Sequence, residues 1–348
     1  MLISILAFVI VIAVCVIVHE YGHYITAKLL GVQVHEFAFG MGPVILQHKA
    51  KNNMLWSWRL FPVGGFCRLA GMHEEDEGES VIPGQGFDEQ SALKRFLILL
   101  NGSVFNIMLA VVLMALFLWG HGILDMEHTK IGEIMPGFPS ELAGLRVGDE
   151  ILAVNGKTST KWREMSELIR TESTNNPALT LTVKRSNDTL TLTVNVPNNE
   201  EYGRPMLGIT PANVRYGFVQ ACRSSLGYTY RMSVMMLQGI AEFVMGRQEA
   251  EVTGPVGIAS MSGRAMASGF WEFITFIAII ALNLGILNLF PIPALDGGRI
   301  LFVLLEMVFR RRLPEKVEGW MHTAVFVLLI SLMILITCKD VYTLFFTR

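Results

Sequence analysis

Hydrophobic positions along the chain gather into four stretches without formal charge: 1–18, 96–120, 273–295 and 320–338. Each is close to the ~20 residues that a helix rising about 1.5 Å per residue needs to cross a hydrocarbon core, so the pattern predicts four transmembrane helices. Between them the periodicity changes. FAFGMGPVILQHK and LWSWRLFPVGGFCRLAG alternate in strand fashion with glycines between, which predicts a hairpin. In the segment 121–271, IGEIMPGFPSELAGLRVGDEILAVNGK reads as a strand, a turn, a short helix beginning near Ser140, a glycine stop and a second strand ending in an Asn-Gly turn. WREMSELIRTE has helical spacing, and LTLTVKRSNDTLTLTV alternates as a hairpin around Ser186, Asn187 and Asp188. Residues 216–247 are amphipathic, but Arg223, Arg231 and Glu242 interrupt every window long enough to span, so a helix lying in the outer interface is predicted. GPVGIASMSG (254–263) suggests only turns and packing, and HEEDEGES (73–80) a solvated loop in which His73 is incidental.

The expected organisation is a first span with a polar end (1–30), a cytoplasmic membrane-associated β region with an acidic loop (31–93), and a second span (94–120). A small α+β domain (125–200), a linker with the interfacial helix (201–270) and a third span with a polar end (271–300) follow. A basic segment (301–319), a fourth span (320–339) and a tail (340–348) complete the chain. The fold class is a multi-pass α-helical membrane protein.

Composition strengthens this picture. Of 348 residues 52% are hydrophobic and only 17% charged, too few charges for a solvated surface all round. The net charge of −2 leaves no basic excess to attract nucleic acid. Cys15, Cys67, Cys222 and Cys338 are scattered singly, which is neither a disulfide framework nor a zinc knuckle. The first apolar run has no basic residue before it and no small-residue cleavage site after it, so it is expected to stay on the mature protein. Lys28, Lys49, Lys51, Arg59, Arg68, Lys94 and Arg95 lie between the first two spans, and Arg310, Arg311, Arg312 and Lys316 after the third. The positive-inside bias makes both segments cytoplasmic and turns the termini and the 121–271 segment outward.

Two clusters at the ends of charge-free runs then call for an explanation, because an ionisable group at membrane depth is costly unless partnered. The first is His19-Glu20-Tyr21-Gly22-His23. On a helix, His19 and His23 share one face and can hold one metal ion, while Glu20 beside them can take a proton from metal-bound water. The second is NLGILNLFPIPALDGGRI (283–300), in which Pro291 and Pro293 cannot continue a regular helix. Unwound backbone at membrane depth has to line a cavity or be buried in protein, so Asp296 is expected to face a site. His35 and Glu36 are nearer in sequence but belong to a strand-like stretch; Asp296 meets both the depth and the charge required of a third ligand. A structural metal site and a transported ion are the rivals. Intact Glu20 speaks against the first, since a structural site needs no base, and the concentration of polar groups at one level speaks against the second.

GFPSELAGLRVGDEILAVNG resembles a bacterial PDZ domain, whose groove adds a peptide as an extra strand; a spacer or gate that binds nothing is the alternative. Taken with HEYGH on the first span and NLGILNLFPIPALDGG on the third, nearly the whole chain resembles the site-2 protease family of intramembrane zinc metalloproteases, peptidase family M50, in its bacterial RseP/RasP-like group. The resemblance implies Zn2+ held by His19, His23 and Asp296, Glu20 as general base, and substrate contacts from Asn283, Asn288, Pro291 and Pro293. It implies that the β region pairs with unwound substrate, and that substrates are single-span membrane proteins such as anti-sigma factors or remnant signal peptides, cut near the cytoplasmic side of a bacterial inner membrane. The lipid bilayer and a peptide ligand of the PDZ-like domain are the other expected partners. The chain departs from the family pattern in having room for one PDZ-like domain, in Asn101 where alanine is more usual, and in Arg299, to which no catalytic role is given. Gly102, Ser103 and Asn106 on the second span read as close helix packing with an interhelical hydrogen bond.

Overall fold

The computed structural model describes residues 2–50, 54–72, 81–199, 203–247, 253–312 and 314–346, so the acidic loop 73–80 lies outside the described residues. Two compact units emerge, one from residues 1–117 with 220–348 and the other from 118–219.

In the first unit, helix α1 (Leu2–Leu29) buries Ala7, Val11, Cys15, His19 and His23, every fourth residue. This stripe puts both histidines on the face turned away from lipid. A long antiparallel hairpin follows, β1 (Val34–Lys49) with β2 (Leu55–Leu69). Its base packs on α1: Gly65 is bare because a methyl there would meet the Ala38 carbonyl at 2.8 Å and Val16 at 3.1 Å. Further out, Met41, Val44, Ile45, Leu46, Trp58 and Phe61 are all exposed, an apolar patch with aromatic members of the kind that meets a membrane or another chain. Helix α2 (Ala92–Gly120) then runs without a charge beyond Arg95.

The second unit is built by short-range rules. β3 (Ile123–Leu124), β4 (Ile131–Ile134), α3 (Pro139–Leu142), β5 (Glu150–Val154) and β6 (Lys157–Thr158) come first. The left-handed Asn155 and Gly156, at φ 48° and 80°, make the tight turn between β5 and β6. Helix α4 (Trp162–Asn175) buries Trp162, Met165, Ile169 and Ser173, one face of the helical repeat. β7 (Ala178–Arg185) and β8 (Asp188–Asn195) form the expected hairpin, completing a sheet ordered β6-β5-β7-β8. The short strands β9 (Asn198–Asn199), β10 (Arg204–Pro205), β11 (Ile209–Pro211) and β12 (Asn213–Val214) close the unit, β11 on β4 and β12 on β3.

Helix α5 (Phe218–Val244) forms where the amphipathic pattern placed it. The stretch 254–263, expected to make only turns and packing, instead caps and enters helix α6 (Pro255–Ser268). Pro255 opens it in the first turn, where its missing N–H leaves no bond unmade, and Asp340 accepts the Gly257 N–H at 2.8 Å. Its glycines serve close approach, since a methyl on Gly263 would stand 2.3 Å from Ser4 Oγ on α1. Helix α7 (Phe270–Leu287) stops short of the apolar run that predicted it, leaving 288–295 unwound; α8 (Asp296–Phe309) and α9 (Glu315–Phe346) follow. Among the described residues α1, α2, α7 and the Lys316–Tyr342 part of α9 are long and apolar enough to cross a membrane.

Among the described residues three apolar clusters hold the first unit, a small one of Tyr24, Phe37 and Met54 and two larger ones. Val11, Cys15, Ala110, Ile277, Ala281 and Ile286 join α1, α2 and α7; Ala27, Leu69, Ile98, Leu99, Ile300 and Val303 join the far end of α1 to β2, α2 and α8. His19 and His23 lie on the α1 stripe between the two. Arg95 Nη2 donates to Glu306 at 2.6 Å and Arg312 Nε at 3.0 Å, clamping α8 to the start of α2.

In the second unit the buried Asp149 carboxylate takes two bonds from Arg185, Nε and Nη2, both at 2.8 Å, and one from the Arg146 N–H at 2.9 Å. The Arg185 guanidinium, helped by that N–H, holds the carboxyl below the usual range despite the opposing effect of burial. A carboxyl depressed in the folded state adds stability that is complete above its unfolded value near pH 4 and is lost as pH falls through the folded value. Hydrogen-exchange protection of the β5 and β7 amides is therefore expected to fall on acidification below about pH 4. Arg185→Ala should cost roughly 2–3 kcal/mol of that protection at neutral pH and flatten its acid dependence; an unchanged acid profile would contradict the assignment.

Candidate metal centre and active site

The unwound segment 288–295 is shaped by the residues that break α7. Asn288 closes the helix, its N–H on the Leu284 carbonyl at 3.0 Å, and its own carbonyl accepts the Gly297 N–H at 2.7 Å. Pro291 and Pro293 lie within this loop, and Ala294 turns left-handed at φ 81° before α8 begins at Asp296. Gly297 and Gly298 are required by the folding-back of the loop, for methyl groups there would meet the carbonyl oxygens of Phe290 at 2.1 Å and Ile292 at 2.5 Å. The loop and the first turn of α8 thus form one packed unit that carries Asp296.

Asp296 meets α1. Its Oδ2 lies 3.0 Å from His19 Nε2 and 3.3 Å from His23 Nε2, and the two imidazole nitrogens are 3.2 Å apart. All three atoms fall within 4.8 Å of one another. His23 Nδ1–H donates to the Ile98 carbonyl at 2.8 Å, a bond that leaves Nε2 as the lone-pair nitrogen of the neutral ring and orients it. Asp296 Oδ2 is buried without a hydrogen-bond partner among the described residues. Three electron-rich atoms facing each other in a buried space fit a divalent cation with two imidazoles and one carboxylate, a donor set typical of catalytic zinc. Glu20 adjoins His19 and lies beside the Cys67 backbone of β2.

His35 and Glu36 go elsewhere. Glu36 is buried on β1, where Ser57 donates to it and Arg59 Nη2 lies at 2.7 Å. Asn283 is on α7 and Asn288 at its end, both half-buried, with no side-chain hydrogen bond among the described residues. Three groups escaped the sequence reading. The Ile98 carbonyl and the Cys67 N–H are backbone atoms and carry no sequence signal. Gly102 was legible only as a packing glycine, yet a methyl there would stand 2.3 Å from His23 Nε2 and 2.9 Å from His19 Cε1. The interhelical hydrogen bond expected of Ser103 and Asn106 is not made: Ser103 Oγ and both amide atoms of Asn106 are buried without partners among the described residues. The packing itself is close, since a methyl on Gly285 would meet the Ser103 carbonyl at 3.0 Å.

The model of peptidase family M50 matches residues 7–332. The chain belongs to peptidase family M50. A relative from Clostridium acetobutylicum is 32% identical over 342 residues, covering 97% of this chain and 96% of its own length. The zinc metalloprotease RasP of Oceanobacillus iheyensis is 29% identical over 98% of this chain and 99% of its own, and that of Geobacillus kaustophilus 26% identical over 98% of each. This M50 chain is an intramembrane zinc metalloprotease of the site-2 type.

Overpacking a tight site costs about 1–3 kcal/mol, so Gly102→Ala is expected to weaken zinc binding roughly 10- to 100-fold. Titration of the apo enzyme against a chromophoric chelator checks this; wild-type affinity would contradict the placement of Gly102.

Proposed function

We propose that His19, His23 and Asp296 hold the zinc ion and that Glu20 is the general base of peptide-bond hydrolysis. The observation that carries this reading is the meeting of one carboxylate from α8 with two imidazoles from α1, all three ligand atoms within 4.8 Å. Zinc, when bound, supplies Lewis acidity that brings the pKa of a water to about 7 and polarises the scissile carbonyl. Glu20 accepts the proton of the attacking water and returns it to the leaving amine. The Asn288 amide, at the end of α7 and without a side-chain hydrogen bond among the described residues, stabilises the oxyanion, a contribution of about 3–4 kcal/mol where such donors have been removed. Asn283, Pro291 and Pro293 border the path of the substrate.

The substrates are single-span membrane proteins or remnant signal peptides, anti-sigma factors among them. A transmembrane helix hides its peptide bonds in its own hydrogen bonds and has to be unwound before water can attack. The β1–β2 sheet has two strands, with outer edges available to an added strand. Because Cys67 of β2 lies beside Glu20, a strand laid along the hairpin is led to the carboxylate. The exposed Ile45, Leu46, Trp58 and Phe61 seat the hairpin on lipid. The enzyme spans a bacterial inner membrane four times, with both termini and the 118–219 unit outside and the metal centre towards the cytoplasm, the arrangement that puts the clustered lysines and arginines inside. The 118–219 unit is PDZ-like; a cavity of about 410 Å³ between α4 and residues 204–209, lined by Met165, Ile169, Arg170 and Leu207, is where a peptide would lie.

Cleavage of a single-span reporter by wild type and Glu20→Gln tests the mechanism. The variant should retain zinc and lose activity about 10²- to 10⁴-fold; equal cleavage with zinc bound would reject Glu20 as base.

A further inference from the structure

One histidine of α9 reaches the loop that carries Asp296. The Ala294 N–H donates to His322 Nδ1 at 2.7 Å, across 28 residues of sequence. Because Nδ1 accepts, the proton of the neutral ring sits on Nε2, and Glu318 Oε1, one turn earlier on α9, stands 3.7 Å from that nitrogen. The ring is further fixed by an edge-to-face contact with Phe302 of α8, centroids 5.8 Å apart at 81°. The Ala294 N–H therefore fixes the tautomer, and the packed Phe302 ring the orientation, in which His322 meets the backbone.

The residue it meets is in an unfavourable conformation. Ala294 has φ 81°, a region that side-chain-bearing residues avoid unless their surroundings enforce it. Two residues later comes Asp296, and between them Leu295 is extended (φ −104°, ψ 163°). The left-handed turn redirects the chain into α8 and so sets where the aspartate begins. Sequence gives no hint of this, since the histidine lies within the fourth apolar run and pairs with a backbone group.

We propose that His322 is a positioning residue for the metal centre, its Nδ1 holding Ala294 in the turn that brings Asp296 against His19 and His23. This rests on the reading of Asp296 as a zinc ligand. His322 touches neither substrate nor metal; it acts through the backbone, as hydrogen-bonding partners outside the ligand set do in other metal sites. It also lines a cavity of about 910 Å³, so changing the ring does not open a void in a closed core.

The test uses the full-length enzyme in detergent, reading zinc affinity by chelator competition and reporter cleavage together. His322→Leu removes the acceptor and is expected to lose about 10- to 100-fold in both. His322→Asn, whose side-chain oxygen can accept the same N–H, should retain most of both. Ala294→Gly supplies a residue that adopts the turn unaided; in that background His322→Leu should recover the greater part of the loss, which a merely structural role for His322 would not allow. Wild-type zinc binding and cleavage in His322→Leu would overturn the proposal, as would equal losses in His322→Leu and His322→Asn with no recovery in the glycine background. Asp296→Asn separates the two ideas. If it has lost zinc and activity while His322→Leu has not, only the role of His322 fails; if Asp296→Asn binds zinc and cleaves normally, the ligand reading fails and takes this proposal with it.

Discussion

Two imidazole nitrogens and a carboxylate oxygen turned towards one point, inside helices otherwise made of hydrocarbon, form an arrangement that fits a cation. Away from bulk water an unpaired ionised group is far more costly than at a surface, so the surrounding structure is organised to deliver these atoms together and keep them there. The stripe of every fourth residue along α1 carries both histidines on its buried face. The break after Leu287 lets α8 start at the right depth. The Arg95–Glu306–Arg312 clamp fixes α8 against α2, and α2 in turn offers the Ile98 carbonyl to His23.

Much of this was legible in the sequence because it follows from short-range physics. HEYGH at the end of a charge-free run is an electrostatic anomaly visible without coordinates, and the orientation expected from the lysines and arginines put Asp296 at the depth of the histidines, which it meets in the fold. Pro291 and Pro293 foretold the break in α7, and Asn155-Gly156 and Ser186-Asn187 the turns of the 118–219 unit. In each case a local rule and the global fold agree.

The parts that were not legible depend on atoms that sequence does not distinguish. Helix α6 looked like turns because Gly254, Gly257 and Gly263 disfavour a helix in isolation; in the fold those glycines admit Asp340 and Ser4 at close range. Gly102 carried the same ambiguity, being a packing residue whose neighbours happen to be the two histidines. The short strands β9–β12 have too few residues for any periodicity, and partners such as β4 and β3 lie some 75–90 positions earlier. Backbone donors and acceptors at Ile98, Cys67 and Ala294 are equivalent in every sequence, so their use appears only once the chain is folded.

The proposed zinc site joins two histidines of the first span to an aspartate that follows the third. X-ray absorption at the zinc edge of the purified enzyme addresses it directly. The expected spectrum shows a shell of nitrogen and oxygen at about 2.0–2.2 Å with two imidazole scatterers and no sulfur. A sulfur scatterer near 2.3 Å, drawing a cysteine such as Cys67 into the site, or a single imidazole, would contradict it.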